Sequence, residues 1–310
     1  MGRYAGQTGT IFGQALRHLL LQWCGLIVTI QPSLSQKEQP SGWVELPTDR
    51  QAKGTAPAPG TLGRSEQPGS KPGGILLKGQ VEHTERLEPT VPTLSPGTDF
   101  REGSLPAVRQ ASEWYRIPEW FAGTFEVEDS TVVKSYDYRS GQTTFLNQRI
   151  PSQGQETRGF QRDALGKIWQ YSTTSGTSKS EQAAHITYNI IHWYGPEEIH
   201  EGRVVMRVLA TSVVVNKQSA KIVAVYRRED IKTYVPLKPG VLSVSYTSKS
   251  FTADGSPQDL QTGFAVHKLI SRFKTIDRVG DTDLAALFRD YLVASKMGDL
   301  VPDRLKGLTP

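Results

Sequence analysis

Two histidines near the middle of the chain have a spacing that could bring them to one metal ion. His192 and His200 stand on either side of Gly195-Pro196, and Glu198 lies close by. If that glycine–proline pair is a turn, the two imidazoles can meet across a hairpin. A zinc site normally takes three or four ligands in a tetrahedral array, which two histidines do not supply. The sequence therefore predicts no metal site, with one histidine hydrogen-bonded in the interior and the other at the surface.

The acidic residues and the serines form no catalytic pattern. Glu126 and Glu128 alternate with Phe125 and Val127, so the two acids project together from one side of a strand. Two carboxylates on one face can do acid–base chemistry when one is buried, but acids opposite an apolar face are ordinarily solvated. The chain has no Gly-x-Ser-x-Gly turn and no phosphate-binding glycine loop. We expect no catalytic residues, no enzyme activity and no cofactor.

The aromatic residues offer binding chemistry instead. Many of them fall in strand-like segments, and tyrosine brings a polar tip into an apolar wall. Such a wall suits a cavity that binds an amphipathic molecule. The residues predicted to line it are Trp169, Tyr171, Tyr188, His192, Tyr226 and Tyr246. An ordinary β core with hydroxyl groups at its rim explains the same pattern, so both interpretations stay open.

Four arginines could supply positive charge to the same cavity. Arg158 and Arg162 bracket Phe160, and Arg203 and Arg207 follow in a later strand-like run. Together they could meet an anionic head group. Positions that face solvent explain them equally well.

Composition excludes some classes of protein. The 310 residues include 36 Lys and Arg against 31 Asp and Glu, a net charge of +5. No run of cations marks a nucleic-acid surface. The single cysteine, Cys24, lies in the first apolar stretch. If that stretch is removed, the mature chain can form neither a disulfide nor a cysteine-ligated metal site.

The chain divides into segments of different composition. Residues 1–35 have a basic start and a short apolar run, Leu19–Ile30, which predicts a signal peptide and export. Residues 36–112 are rich in Pro, Gly and Ser and are predicted to be a disordered linker. The folded domain is predicted over 113–300, followed by a tail at 301–310. If the signal is cleaved, the protein is not integral to a membrane.

Within the predicted domain the apolar pattern changes to period two. Eight to ten strand-like segments follow one another with short turns and no crossover helix, so the sheet should be antiparallel. A sheet of this size avoids exposed edges by closing into a barrel or stacking as a sandwich. We predict a closed or nearly closed β-barrel, with a β-sandwich as the alternative. Apolar residues at helical spacing predict one C-terminal helix, residues 282–297, against the outside of the sheet.

The start of the first strand resembles the lipocalin or calycin plan. In that family a Gly-x-Trp opens the first strand, its ring closes one end of the barrel, and an arginine from the last strand packs over the ring. The matching positions here are Gly123 and Phe125, with Trp120 in the lead-in and Arg272 as the arginine. Phenylalanine replaces the family's tryptophan, and the family's second motif, Thr-Asp-Tyr, has no counterpart.

A second resemblance covers most of the domain. The stretches WFAGTF (120–125), GFQRDALGKIWQY (159–171) and DLAALFRDYL (283–292) are similar to a group of exported cyanobacterial proteins of unassigned function. This resemblance implies a photosynthetic bacterial source and a location in the periplasm or the thylakoid lumen. It implies no activity.

Two functions from different classes fit these patterns. The first is an exported, non-catalytic binding protein that holds a small apolar or amphipathic ligand, of the lipid or pigment class, in a β-barrel. The alternative is a structural or assembly factor of an envelope or thylakoid complex, which acts through its surface and tail and binds no small molecule. The two differ in whether a ligand occupies the interior.

Overall fold

The structure is a computed structural model that describes residues 82–108, 111–127, 129–150 and 154–307. The predicted signal peptide and the predicted linker as far as residue 81 lie outside these described residues.

The described residues form an all-β fold with helices at the C-terminal end. Every strand pair is antiparallel, as the short turns predict. The strands are β1 Ala111–Ile117, β2 Gly123–Val127, β3 Ser130–Asp137, β4 Thr143–Ile150, β5 Gly154–Arg158, β6 Gln161–Arg162, β7 Ile168–Glu181, β8 His185–His200, β9 Arg203–Asn216, β10 Ile222–Lys238, β11 Val241–Phe251, β12 Pro257–Arg272, β13 Arg278–Val279 and β14 Thr282–Asp283. The helices are α1 Leu284–Ala294 and α2 Asp303–Lys306.

The first twelve strands belong to one sheet. Its strand order is β1-β7-β8-β9-β10-β11-β12-β2-β5, with β3 beside β12 and β4, and β6 beside β7. In β2, Phe125 and Val127 are buried and Glu126 is exposed, as the period-two pattern predicts. In β9, neighbours such as Val213 and Val214 are both buried, because both faces of this central strand are covered.

The predicted hairpin at Gly195-Pro196 is wrong. β8 runs without a turn from His185 to His200, and the turn to β9 comes at Glu201–Gly202. The pairing of β8 with β9 shifts register between Pro196 and Glu198, because proline has no N–H for the ladder and is accommodated at a bulge. His192 and His200 therefore lie on one strand and do not face each other.

The sheet curls strongly into an open half-barrel. Ile117 of β1, Phe125 of β2 and Tyr234 of β10 belong to one buried apolar cluster, although these strands are far apart in the sheet order. We call the face that carries this cluster the concave face, and the opposite one the outer face. Among the described residues no strand pairing joins β5 to β1. The prediction of an all-β fold with an antiparallel, curled sheet is thus confirmed. The closed barrel is not shown, because the described sheet is an open half-barrel.

Helix α1 lies against the outer face of β1 and β7, as predicted. Leu284, Phe288 and Leu292 are fully buried, and the Phe288 ring centroid lies 4.8 Å from that of Trp114 and 5.6 Å from that of Trp169. The helix begins at residue 284 and ends at residue 294, inside the predicted bounds 282–297.

The first turn of α1 depends on one side-chain cap. The Asp283 carboxylate accepts a hydrogen bond of 2.9 Å from the Ala286 amide. We expect Asp283→Ala to lower the free energy of unfolding by about 0.5–2 kcal/mol, since the amide loses its partner. Asp281→Ala is the matched control, because the structure gives that acid no cap bond. Chemical denaturation of both variants measures the difference, and equal losses would contradict the assignment of the cap.

Residues 82–108, which the composition places in the linker, pack against the outer face. Leu94 is buried among side chains of β8, β9 and β10. The Gly97 amide donates to the Ile222 carbonyl at 2.7 Å, and the Leu87 amide donates to the Gly255 carbonyl at 3.0 Å. A Cβ on Gly255 would lie 1.7 Å from the Leu87 carbonyl oxygen. The segment is therefore fastened at the β9–β10 and β11–β12 turns, and the second fastening requires glycine.

A buried carboxylate on β10 holds the same segment in the middle. Glu229, whose side chain is 1% exposed, accepts hydrogen bonds from His83 Nδ1 at 2.8 Å and from the Thr84 amide and hydroxyl at 2.7 and 2.8 Å. Arg207 Nη1 donates to it at 3.0 Å. Burial alone would raise the pKa of Glu229, but the bonds from His83 and Thr84 hold that pKa below its usual range.

Removing this carboxylate should release the segment. In Glu229→Ala the donors of His83, Thr84 and Arg207 lose their acceptor, and we expect the local free energy of opening to fall by about 1.5–3 kcal/mol. Limited proteolysis should then cut within residues 82–100 about tenfold faster or more. Glu197→Ala, which also removes a carboxylate paired with Arg207, should leave the rate near that of the wild type. Equal cleavage in the two variants would show that Glu229 is not the anchor.

No helix in the described part of the chain combines the length and the apolar character needed to cross a membrane.

Candidate binding site

The concave face carries the largest apolar cluster described, and a charged group lies inside it. Side chains from β1, β2, β7 and β9–β12 form the walls. The buried members are Ile117, Phe121, Ala122, Phe125, Ile168, Val204, Met206, Tyr234, Leu242, Val244 and Ala265. Among them lies Arg158 of β5, which is only 3% exposed.

Arg158 makes two hydrogen bonds through Nη2 in this cluster, and the Tyr234 side chain also bonds to the guanidinium. Nη2 donates to Glu156 Oε2 in a close ion pair and to His267 Nδ1 at 2.9 Å. Glu156 and His267 are themselves buried. Because Nδ1 of His267 accepts, the proton of the neutral ring belongs on Nε2.

Three aromatic rings surround the guanidinium. Its central carbon lies 4.4 Å from the ring centroid of Phe121, 4.5 Å from that of Tyr234 and 5.0 Å from that of Phe125. A cation over an aromatic face gains about 0.5–2 kcal/mol. Nε and Nη1 of Arg158 are buried and have no hydrogen-bond partner among the described residues. Buried arginine nitrogens are nearly always paired, so these donors can take an acceptor that the described residues do not supply.

The protonation states of Glu156, Arg158 and His267 follow from their burial and from one another's charges. Burial alone would raise the pKa of Glu156, but the charge and hydrogen bond of Arg158 hold that pKa below its usual range. Burial, followed by the charge of Arg158, lowers the pKa of His267 to about 3. At neutral pH the site therefore holds one carboxylate, one guanidinium and a neutral imidazole. The ammonium of Lys232 adds a second positive charge close enough to affect both Glu156 and His267.

Three tyrosines complete the polar part of the interior. Burial raises the pKa of Tyr115, Tyr194 and Tyr234 above the usual tyrosine value, so each keeps its phenolic proton. Tyr115 lies on β1 and Tyr194 on β8. The group therefore presents neutral hydroxyl donors beside Arg158.

The Trp120–Phe121 turn lies at one end of this interior. Trp120 Nε1 donates to the carbonyl of Glu201 in the β8–β9 turn, and Phe121 packs on Tyr234 with ring centroids 5.0 Å apart. Gly123 follows with φ +129°, and a Cβ there would lie 2.6 Å from Leu269 Cδ1 and from the Ser271 carbonyl oxygen. The position therefore requires glycine.

The arginine over Phe125 is Arg158. Arg272, which the lipocalin resemblance assigns to that place, is exposed and pairs in register with Gly123. Of the other arginines considered from sequence, Arg203 pairs with Glu198 near the surface, and Arg207 lies on the outer face beside Glu229. Arg158, and none of these three other arginines, lies in the described interior.

The six aromatic positions predicted to line a cavity do not meet in one place. Trp169 and Tyr171 lie on the outer face with α1, and Trp169 Nε1 donates to Asp163 at 2.9 Å. Tyr188 lies on the outer face beneath Phe100, with ring centroids 4.6 Å apart.

The remaining three are also separated. His192 is exposed, and its Nε2 lies 2.8 Å from the Thr211 hydroxyl. Tyr226 and Tyr246 are buried on the concave face of β10 and β11. Only these last two share a face with Arg158.

The residues predicted from sequence to line the cavity do not include Glu156, His267, Tyr115, Tyr194 or Tyr234. Alternation in DIKTYVP groups the β10 side chains by face but does not say which face is concave. In YNIIHWY alternation would put Tyr188 and Tyr194 on one face. The register shift between Ile191 and Trp193 puts them on opposite faces instead. No group of three or more His, Cys, Asp or Glu side chains in the described ranges is placed to hold a metal ion.

Comparison of the chain with protein-family models, with curated proteins and with solved structures finds no match.

Proposed function

We propose that this protein is a non-catalytic binding protein that holds a small amphipathic anion in the concave interior of its half-barrel. The observation that carries the proposal is Arg158, a buried guanidinium with two nitrogens that lack an acceptor in the part of the chain that the structure describes. A carboxylate or similar anionic group of a ligand is the acceptor that suits it.

Charge in the interior favours an anion. Arg158 and Lys232 carry two positive charges against the single carboxylate of Glu156. A ligand with one negative charge would balance them. The neighbouring Asp230 is already paired with Arg228 at 2.9 Å.

The walls around Arg158 favour an apolar body behind that anionic group. Aromatic and aliphatic side chains from seven strands line the interior, and such walls bind apolar surface. A ligand of the lipid or pigment class has both parts. In the same proposal the half-barrel is a variant of the lipocalin-like plan in which the ligand fills the open interior.

The proposed location is outside the cytoplasm, in the periplasm or the thylakoid lumen. The basic start and short apolar run at 1–35 support a cleaved signal. The similarity to exported cyanobacterial proteins supports the same assignment.

A displacement assay with a fluorescent fatty acid tests the proposed ligand class. We expect saturable binding to the wild type and about tenfold weaker binding to Lys232→Gln, since one of the two cations is lost. Arg272→Gln removes an exposed arginine and is the matched control, with unchanged affinity expected. Native mass spectrometry of protein from its own envelope fraction should show a bound small acid. No fatty-acid binding, or equal affinity in Lys232→Gln and the wild type, would contradict the proposal.

The second candidate function is an assembly factor, which exposed apolar side chains favour. Val235 of β10 and Phe264 of β12 are 39% and 48% exposed, and both lie on the outer face, on the two strands that flank β11. This function predicts that Phe264→Ser weakens co-purification of a defined complex while Lys232→Gln does not. The opposite result would favour the small-ligand function.

A further inference from the structure

The concave face has a second polar region at the other end of its strands. Tyr234, beside Arg158, and Tyr226 lie on the same face of β10, eight residues apart. At about 3.3 Å per residue the two positions are roughly 26 Å apart. The side chains around Tyr226 are therefore separate from the Arg158 group.

The strand register places a row of polar side chains there. Ser178 of β7 pairs with Asn189 of β8, and Asn189 pairs with Ser212 of β9. The Ser212 hydroxyl donates to Asn189 Oδ1 at 2.8 Å, which confirms that these side chains share one face. Ser180 pairs with Thr187 in the next row.

At this end β7 and β8 carry polar side chains on the concave face and apolar ones on the outer face. On the outer face the alternate residues Tyr188, Ile190 and Val213 are buried together with Leu94 of the N-terminal segment. On the concave side the hydroxyl and amide groups of β7 and β8 lie next to a small apolar cluster of Val214 and Tyr226. An interior face that only had to pack would be apolar.

Four polar atoms of the row lack hydrogen-bond partners within the described ranges. These are the hydroxyl oxygens of Ser178, Ser180 and Thr187, and Nδ2 of Asn189. Asn189 is 0% exposed and Thr187 is 2% exposed. Buried polar groups are paired in most structures, so a cluster of unpaired ones indicates an occupant that completes their bonds.

The chemistry of the row selects a neutral occupant. All four groups are uncharged, and each hydroxyl can donate and accept. Lys179 and Glu181 occupy the alternate positions of β7 and pair with each other at 3.2 Å, so neither belongs to this face. A divalent cation would need carboxylate ligands. An anion would need a cation close by, and Arg228, two residues from Tyr226 on this face, is already paired with Asp230 at 2.9 Å.

We propose that this row is a binding subsite for a neutral hydroxylated group of the sugar or polyol class. Ser178, Ser180, Thr187 and Asn189 are the recognising residues. The subsite is independent of the anion-binding function assigned to Arg158.

Titration with methyl β-D-glucopyranoside, followed by backbone amide NMR on the full chain, tests the subsite. We expect saturable shifts at residues 178–189 and at Ser212. Thr187→Val replaces the unpaired hydroxyl with a methyl group of the same shape. It should weaken sugar binding about tenfold without lowering the free energy of unfolding.

Thr177→Val is the matched control, since Thr177 is exposed on the opposite face of β7. Its sugar affinity should equal that of the wild type. If no saturable shifts occur, or if Thr187→Val binds the sugar as well as the wild type does, ordered water alone completes these bonds and the subsite is refuted. Either result leaves the Arg158 proposal untouched, because the fatty-acid assay reports on the other end of the interior.

Discussion

Glu156→Gln should lower the free energy of unfolding by about 3–5 kcal/mol, because it leaves the buried guanidinium of Arg158 without its counter-charge. The amide can still accept a hydrogen bond from Nη2 but carries no charge. The three aromatic rings around the guanidinium recover only part of the loss. Urea denaturation at neutral pH measures the change.

Two further variants make this result interpretable. Glu126→Gln changes an exposed glutamate of the adjacent strand β2, and its effect should stay within about 0.5 kcal/mol. The double variant Glu156→Leu with Arg158→Met removes both charges and should be more stable than Glu156→Gln. If Glu156→Gln costs no more than Glu126→Gln, water reaches the ion pair and the site is not desolvated.

The second large effect concerns the pH dependence of stability. His267 has a pKa of about 3 in the folded protein against about 6.5 in an unfolded chain. Between these values the unfolded state binds a proton that the folded state does not. Stability should therefore fall as the pH drops from about 6.5 towards 3. A difference of this size is on the order of several kcal/mol at its full extent.

Other groups titrate in the same range, so a comparison of variants isolates this residue. The charged and titratable groups that face His267 are Glu156, Arg158, Lys232 and Tyr234. In His267→Gln the amide oxygen can still accept from Arg158, but nothing at the position titrates. The loss of stability between pH 7 and pH 4 should be smaller in His267→Gln than in the wild type. His200→Gln, at an exposed position, should keep the wild-type slope, and an unchanged slope in His267→Gln would overturn the prediction.

Local patterns in the sequence predicted the elements of this fold well. Alternation in GTFEV gives β2 with its correct faces, and the leucine and phenylalanine spacing of DLAALFRDYL gives α1 and its buried side. Both patterns depend only on neighbours within one element. The curl of the sheet could not be obtained in this way, because it is set by which distant strands meet.

Because local patterns do not reveal which distant strands meet, the sequence also did not predict the burial of Arg158 or the packing of residues 82–108. Arg158 and Arg162 bracket Phe160 in the sequence, yet they lie in different surroundings. Arg158 is buried at the end of β5, whereas Arg162 belongs to β6 and lies over the ring of Phe273. Gly159 separates the two short strands with φ +81°, so alternation does not carry across it. Residues 82–108 were assigned to the linker because Leu87 and Leu94 are isolated apolar residues without a period. Their burial comes from the sheet beneath them.

The attachment of residues 82–108 determines how the protein can be shortened. A chain cut at residue 113, where the alternating pattern begins, would uncover the valine- and isoleucine-rich outer surface of β8, β9 and β10. Such a fragment would tend to self-associate and precipitate. Soluble material for crystallisation or NMR should therefore retain every residue from His83 onward.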